Sequence, residues 1–125
     1  MRRQTLFNSF KCAFAGIFNT IRAERNIKIH LCAATLVTIA GFLFGISYFE
    51  WLICLLLFGL IIGLELVNTA IEATVDLVTE EKKPLAAKAK DAAAGAVLAA
   101  SIFAAVIGLI IFVPAGLKWI EGFMS

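Results

Sequence analysis

Leu60-Ile61-Ile62-Gly63-Leu64 leads without a break into ELVNTAIEATVD, Glu65 to Asp76. The first five residues belong in hydrocarbon, yet the next three turns carry Glu65, Asn68, Glu72 and Asp76. At about 100° per residue these four fall within roughly 80° of arc, on one stripe of a helix. Val67, Ile71 and Val75 point elsewhere. At about 1.5 Å per residue Glu65 lies roughly 16 Å along the axis from Asp76. A solvated helix end accounts for Asp76 and for Glu72, but not for a carboxylate placed that far back into an apolar segment.

The surrounding composition sets the medium. The 125 residues are 62% hydrophobic and 16% charged, against about 45–50% and about 25% in soluble domains. A single small domain cannot hide that much apolar surface from water, which implies a membrane protein. The net charge of +2 is too small to point to nucleic acid. The charges cluster at Met1–Lys28, at Thr79–Asp91 and sparsely at Lys118–Glu121. Cys12, Cys32 and Cys54 are widely spaced and read as small apolar side chains, not as a zinc or disulfide framework. The basic N-terminus is followed by a long amphipathic stretch and no small-residue cleavage site, so the apolar segments are expected to be permanent.

Working outward, an all-α architecture emerges. Leu6, Phe10, Phe14, Ile17, Phe18 and Ile21 recur at helical spacing, predicting an amphipathic helix over about residues 5–24 that lies in a membrane interface or packs on the bundle. Spans are expected at about 27–46, 51–78 and 85–113. Ser47-Tyr48 reads as an interfacial turn and Glu50-Trp51 as an anchor. Pro84 suits a helix start. Pro114 and Gly116 are expected to end the third span, with Lys118 and Trp119 as the anchor beyond. Arg2, Arg3, Lys11, Arg22, Arg25 and Lys28 share one side with Lys82, Lys83, Lys88 and Lys90, which places the N-terminus in the cytoplasm and the C-terminus outside. Gly41-x-x-x-Gly45 and Gly59-x-x-x-Gly63 are candidate close-packing faces, within one chain or between copies.

Three aligned carboxylates repel one another unless a cation joins them. Carboxylate oxygens suit Mg²⁺, which takes one or two of them and fills its shell with phosphate oxygens. Lys88 and Lys90 are placed to neutralise phosphate, Asp91 to orient it, and Glu24 lies on the same side. A deeper carboxylate can take a proton from a hydroxyl held in lipid. These are the parts for phosphoryl transfer to a lipid alcohol. Neither a Walker A motif nor a kinase-type glycine-rich loop is present. Periodicity alone supports a metal or proton site at the cytoplasmic face, which leaves open a small proton or ion transporter. That rival requires a polar path to the far side, and Trp51–Gly63 offers none.

ELVNTAIEATVD together with AKAKDAAAGAVL, Ala87 to Leu98, resembles the signature of the small bacterial integral-membrane lipid kinases, the family of prokaryotic diacylglycerol kinase and undecaprenol kinase. The resemblance extends from Phe10 to Pro114. It implies a homotrimer of three-span protomers in the bacterial cell membrane, each with an N-terminal surface helix and with sites shared between protomers at the cytoplasmic interface. It implies Glu65 as the base that activates the lipid hydroxyl, and Glu24 and Glu72 as the carboxylates that hold Mg²⁺ and ATP. Asn68 matches a substrate-side polar position, and Asp76, Lys90 and Asp91 match nucleotide-side positions. Cys12-Ala13 departs from the aromatic hydroxyl and serine found near that place in diacylglycerol-type members, which removes two nucleotide contacts expected of the surface helix. ERNIKIH, Glu24 to His30, resembles the undecaprenol branch, where the diacylglycerol branch has an acidic residue near His30. The resemblance thus implies ATP-dependent phosphorylation of undecaprenol, with diacylglycerol as the alternative acceptor. His30 itself reads simply as an interfacial imidazole bonded to a neighbour.

Overall fold

The computed structural model describes residues 5–125. Arg2 and Arg3, two of the charges used to orient the chain, lie outside the described residues. Four helices follow in order: α1 (Leu6–Ala23), α2 (Arg25–Phe44), α3 (Tyr48–Val78) and α4 (Pro84–Met124), with no strand among the described residues. The last three are each long and apolar enough to cross a membrane.

Local chemistry fixes the boundaries. Thr5 caps α1 by accepting a bond from the Asn8 N–H at 3.3 Å. One extended residue, Glu24, separates α1 from α2, and its side chain makes no capping bond. α2 closes on Gly45, whose φ of 64° is the left-handed conformation that glycine adopts without a Cβ penalty. Ser47 and Glu50 then form a reciprocal capping box that starts α3. The expected interfacial turn at Ser47-Tyr48 is therefore a helix start, three residues before Trp51. Pro84 opens α4 in the first turn, as expected, where its missing N–H costs nothing.

Little is buried within the chain. Ile46, Cys54 and Ile111 form a small core, with Val37, Trp51 and Phe112 packed against it. Phe44 sits between Phe112 and Trp119, with ring centroids 6.4 and 5.6 Å away, and ties α2 to the far half of α4. Leu55, Leu56, Ile102 and Phe103 are exposed, the state of side chains that face lipid or other helices. No residue of α1 is buried, and its apolar stripe of Leu6, Phe10, Phe14 and Phe18 is open. That exposure favours the interfacial reading of α1 over packing on its own bundle.

Two expectations are corrected. Pro114 and Gly116 do not end the third span, because α4 continues through both to Met124. Proline forfeits one backbone bond but does not stop a helix whose following turn is held by packing, here Trp119 on Phe44, with Gly116 facing the same ring, 3.5 Å from where a Cβ would stand. Of Gly41-x-x-x-Gly45 only Gly41 makes a contact between helices, on Trp51 of α3. A Cβ on Gly41 would fall 2.7 Å from the Trp51 ring, so this glycine seats an aromatic side chain, while Gly45 is the cap. A Cβ added at Gly59 or Gly63 would meet nothing within 4 Å among the described residues.

Candidate active site

The stripe on α3 forms as its spacing requires, and burial grades along it. Glu65 is 3% exposed and Asn68 8%, Glu72 is half-buried and Asp76 is exposed. The Trp51 ring packs on Gly41 and Phe42, and this residue, in the first turn of α3, serves as the origin for depth, taken as one edge of the hydrocarbon core. Glu65 lies 14 residues beyond it, about 21 Å along the axis, or roughly 9 Å short of the far edge of a 30 Å hydrocarbon core. By the same arithmetic Glu72 lies near that edge and Asp76 about 7 Å outside it.

Each member of the stripe meets a different partner. His30, on the second turn of α2, places Nε2 3.3 Å from Glu65 Oε1. The Asn68 amide donates from Nδ2 to Glu72 Oε1 at 3.3 Å. The Lys90 ammonium donates to Asp76 Oδ1 at 2.5 Å across the α3–α4 connection. The stripe is thus met from both flanks, by α2 at depth and by α4 at the surface. Glu24 and Asp91 make no side-chain hydrogen bond or ion pair among the described residues; Glu24 is half-buried at the α1–α2 break and Asp91 is exposed.

Glu65, Asn68 and His30 line one cavity of about 270 Å³ with Asn26, Val97 and Ser101. A second cavity of about 280 Å³ begins at the same His30 and Ser101 and runs down the bundle between Val37, Phe58 and Phe112. A polar chamber therefore shares a threshold with an apolar one. Two side-chain atoms are buried without a partner among the described residues: Asn68 Oδ1 and Ser101 Oγ. Both residues line the chamber of Glu65. The contrast with the threonines is informative. Thr35, Thr38, Thr69 and Thr74 all return their hydroxyls to the carbonyl four residues back. Ser101 does not, and a buried polar atom left open in this way marks a place for a ligand or a water.

Glu24, Glu72, Asp76, Lys90 and Asp91 do not line this chamber. Among the described residues no three His, Cys, Asp or Glu side chains converge as a complete metal site. Mg²⁺ does not require one, since one or two carboxylates suffice when phosphates fill the remaining positions. Glu72 commits one oxygen to Asn68, and Glu24 is uncommitted, so both fit that donor chemistry.

The model of prokaryotic diacylglycerol kinase matches residues 11–112. The chain belongs to the prokaryotic diacylglycerol kinase family. It is 53% identical over 108 residues to the undecaprenol kinase of Bacillus subtilis, covering 86% of this chain and 88% of that one. It is 38% identical over 110 residues to a diacylglycerol kinase of Synechocystis, covering 87% of this chain and 63% of that one. In this family member Glu65, Asn68 and His30 come together in one chamber of the chain, whereas Glu24, Glu72, Asp76, Lys90 and Asp91 lie outside it. The lining adds Asn26 and Ser101 to the residues singled out in the sequence, and it gives His30 a partner. Ser101 had a legible signal, as the only polar residue between Ala92 and Val113. The neighbour of His30 is Glu65.

Proposed function

We propose that this membrane lipid kinase transfers the γ-phosphate of ATP to the hydroxyl of undecaprenol, giving undecaprenyl phosphate. The observation that carries the reading is the chamber itself. A buried carboxylate and two unpartnered polar atoms stand at the head of an apolar cavity. That arrangement fits an alcohol whose oxygen enters the polar chamber and whose chain follows the apolar one. Glu65 takes the hydroxyl proton, the oxygen forms a bond to Pγ, and the bond from Pγ to the bridging oxygen breaks to release ADP. Asn68 holds the alcohol from the α3 side.

Glu24 and Glu72 would hold Mg²⁺, which would supply neutralisation of phosphate charge, and Lys90, Asp76 and Asp91 line the nucleotide approach. Lys90 must exchange its bond to Asp76 for a phosphate oxygen. Because Glu24 and Asp91 stand clear of the chamber in one protomer, a homotrimer that supplies them from a neighbouring copy suits the arrangement. The orientation follows from the basic residues, with the N-terminus in the cytoplasm of a bacterial cell and the C-terminus outside. Undecaprenol is favoured over diacylglycerol by the greater likeness to a protein named for it. Transport has no support, since the second cavity is apolar beyond His30 and Ser101.

The test is a substrate panel. Purified protein with labelled ATP and Mg²⁺ is offered undecaprenol, diacylglycerol and a ceramide-like alcohol in identical bilayers. Undecaprenol should be phosphorylated fastest. A preference for diacylglycerol assigns the other acceptor, and no labelled lipid from any of the three removes the kinase reading.

A further inference from the structure

Where the polar chamber opens into the apolar cavity, α4 supplies Ser101. Its Oγ is one of the two buried atoms left open there, the other being Asn68 Oδ1. The two are not equivalent. Asn68 Nδ2 donates to Glu72, which leaves Oδ1, an atom that can only accept. The Ser101 hydroxyl can donate as well as accept. An alcohol that gives its proton to Glu65 keeps only lone pairs on its oxygen. Ser101 is therefore the open group that can hold that oxygen both before and after the proton leaves.

Below Ser101 the same face of α4 changes character. Ala104, Ala105 and Gly108 follow at steps of three, four and seven residues and line the apolar cavity, opposite Val37 of α2 and Phe58 of α3. Apart from Ser101 and His30, the lining of that cavity carries no hydroxyl, amide or charged side chain. A Cβ added at Gly108 would meet nothing within 4 Å among the described residues, so the space beside it is open. Gly108 stands about 10 Å along the helix axis from Ser101.

We propose that α4 selects the acceptor through two residues: Ser101 binds the hydroxyl of the lipid alcohol, and Gly108, two turns further on, leaves the room in which its hydrocarbon chain lies. The Ser101 O–H donates to the alcohol oxygen while the alcohol O–H donates to Glu65. Ser101 thus fixes how far the oxygen enters the chamber, and the open space at Gly108 keeps the chain within the bundle.

This inference rests on the reading of the chain as a lipid-alcohol kinase, and a measurement without turnover separates the two. Purified protein in phosphatidylcholine nanodiscs receives, without ATP, rising mole fractions of undecaprenol or of a polyisoprenoid hydrocarbon of the same length that lacks the hydroxyl. The rise of the melting midpoint gives the half-saturating fraction. The wild type should bind the alcohol about three- to tenfold more tightly than the hydrocarbon, the scale of one net hydrogen bond. Ser101→Ala should erase that preference by weakening the alcohol alone, the pairwise signature of a mutant cycle. Gly108→Leu, which fills the open space, should weaken both ligands alike by about fivefold or more and keep the preference. Ala104→Leu, a plug one turn nearer Ser101, should act in the same way, so a folding defect in one plug leaves the other to decide.

A Ser101 that only holds an ordered water gives a different pattern, since Ser101→Ala then moves both ligands alike or neither. That result overturns the assignment of Ser101, and undiminished binding of both ligands by the plugged variants overturns the role of Gly108. In the kinase assay Ser101→Ala should lower kcat/KM for undecaprenol by the factor seen in binding, with KM for ATP unchanged. A normal kcat/KM in that variant refutes the inference even where undecaprenol is the acceptor. Absence of lipid phosphorylation by the wild type refutes the kinase reading and leaves the binding pattern to decide Ser101 and Gly108.

Discussion

Glu65→Gln is the substitution that divides a chemical role from a structural one. It preserves shape and removes a charge from a residue that is 3% exposed. Burying a carboxylate within the hydrocarbon zone costs a few kcal/mol, while a neutral amide costs less and still meets His30. The fold should therefore be retained, with a thermal midpoint equal to or above that of the wild type. Turnover should fall by the full contribution of a positioned base, about 10²- to 10⁴-fold, or roughly 3–5 kcal/mol of barrier. The assay is transfer of γ-labelled phosphate to undecaprenol in nanodiscs, run beside thermal unfolding followed by circular dichroism. If Glu65 only anchors α3 to α2 through His30, the pattern inverts: stability changes and kcat does not. Turnover within threefold of the wild type, at unchanged helicity, would refute the assignment of Glu65 as base.

Three further outcomes follow from the geometry. Lys90→Ala frees Asp76 and removes the cation at the nucleotide approach, so KM for ATP should rise about tenfold with little change in KM for the lipid, read from steady-state rates at varied ATP. Ser101→Ala deletes a buried hydroxyl that has no partner, so the substrate-free protein should melt at the same or a higher temperature, gaining up to about 1–3 kcal/mol, while KM for the lipid rises several-fold. Gly41→Ala puts a methyl 2.7 Å from the Trp51 ring and should destabilise the protein by about 1–3 kcal/mol in a reversible unfolding measurement in detergent, with ATP and lipid KM values unaltered.

What the sequence made legible was whatever repeats along one helix. The stripe from Glu65 to Asp76 needs only about 100° per residue, and it forms as spaced. The three spans follow from hydropathy, and the start of α4 from Pro84. What stayed hidden was contact between helices. Nothing in the spacing of His30 and Glu65, 35 positions apart, brings them to 3.3 Å; the antiparallel pairing of α2 with α3 does. At Gly41 and Pro114 a contact between helices decides the outcome. Each carries a strong local rule, and in each case an aromatic contact set the outcome, Trp51 in the first and Trp119 on Phe44 in the second. Ser47-x-x-Glu50 is the opposite case, a local capping signal present in the chain and passed over in favour of an interfacial turn.

The depth of each polar group accounts for why the work is spread along α3. A polyisoprenol hydroxyl belongs near the hydrocarbon boundary and ATP belongs in water, so an enzyme joining them must hold one oxygen below that boundary and the phosphates above it. Glu65 about 9 Å inside the edge, Glu72 near it and Asp76 about 7 Å outside it span that interval on a single rigid helix. A loop could not do this, because irregular backbone at such depth leaves N–H and C=O groups without partners in lipid. A soluble fold would not need it. The same logic sets where substitutions act. Changes at the deep end, Glu65, His30 and Ser101, should alter handling of the alcohol, and changes at the shallow end, Asp76 and Lys90, should alter handling of the nucleotide. Glu72, at the boundary and bonded to Asn68, is the residue at which both parameters should move together, so Glu72→Gln should raise KM for ATP and lower kcat for the lipid in one variant. A Glu72→Gln enzyme with only one of the two defects would break the ordering by depth.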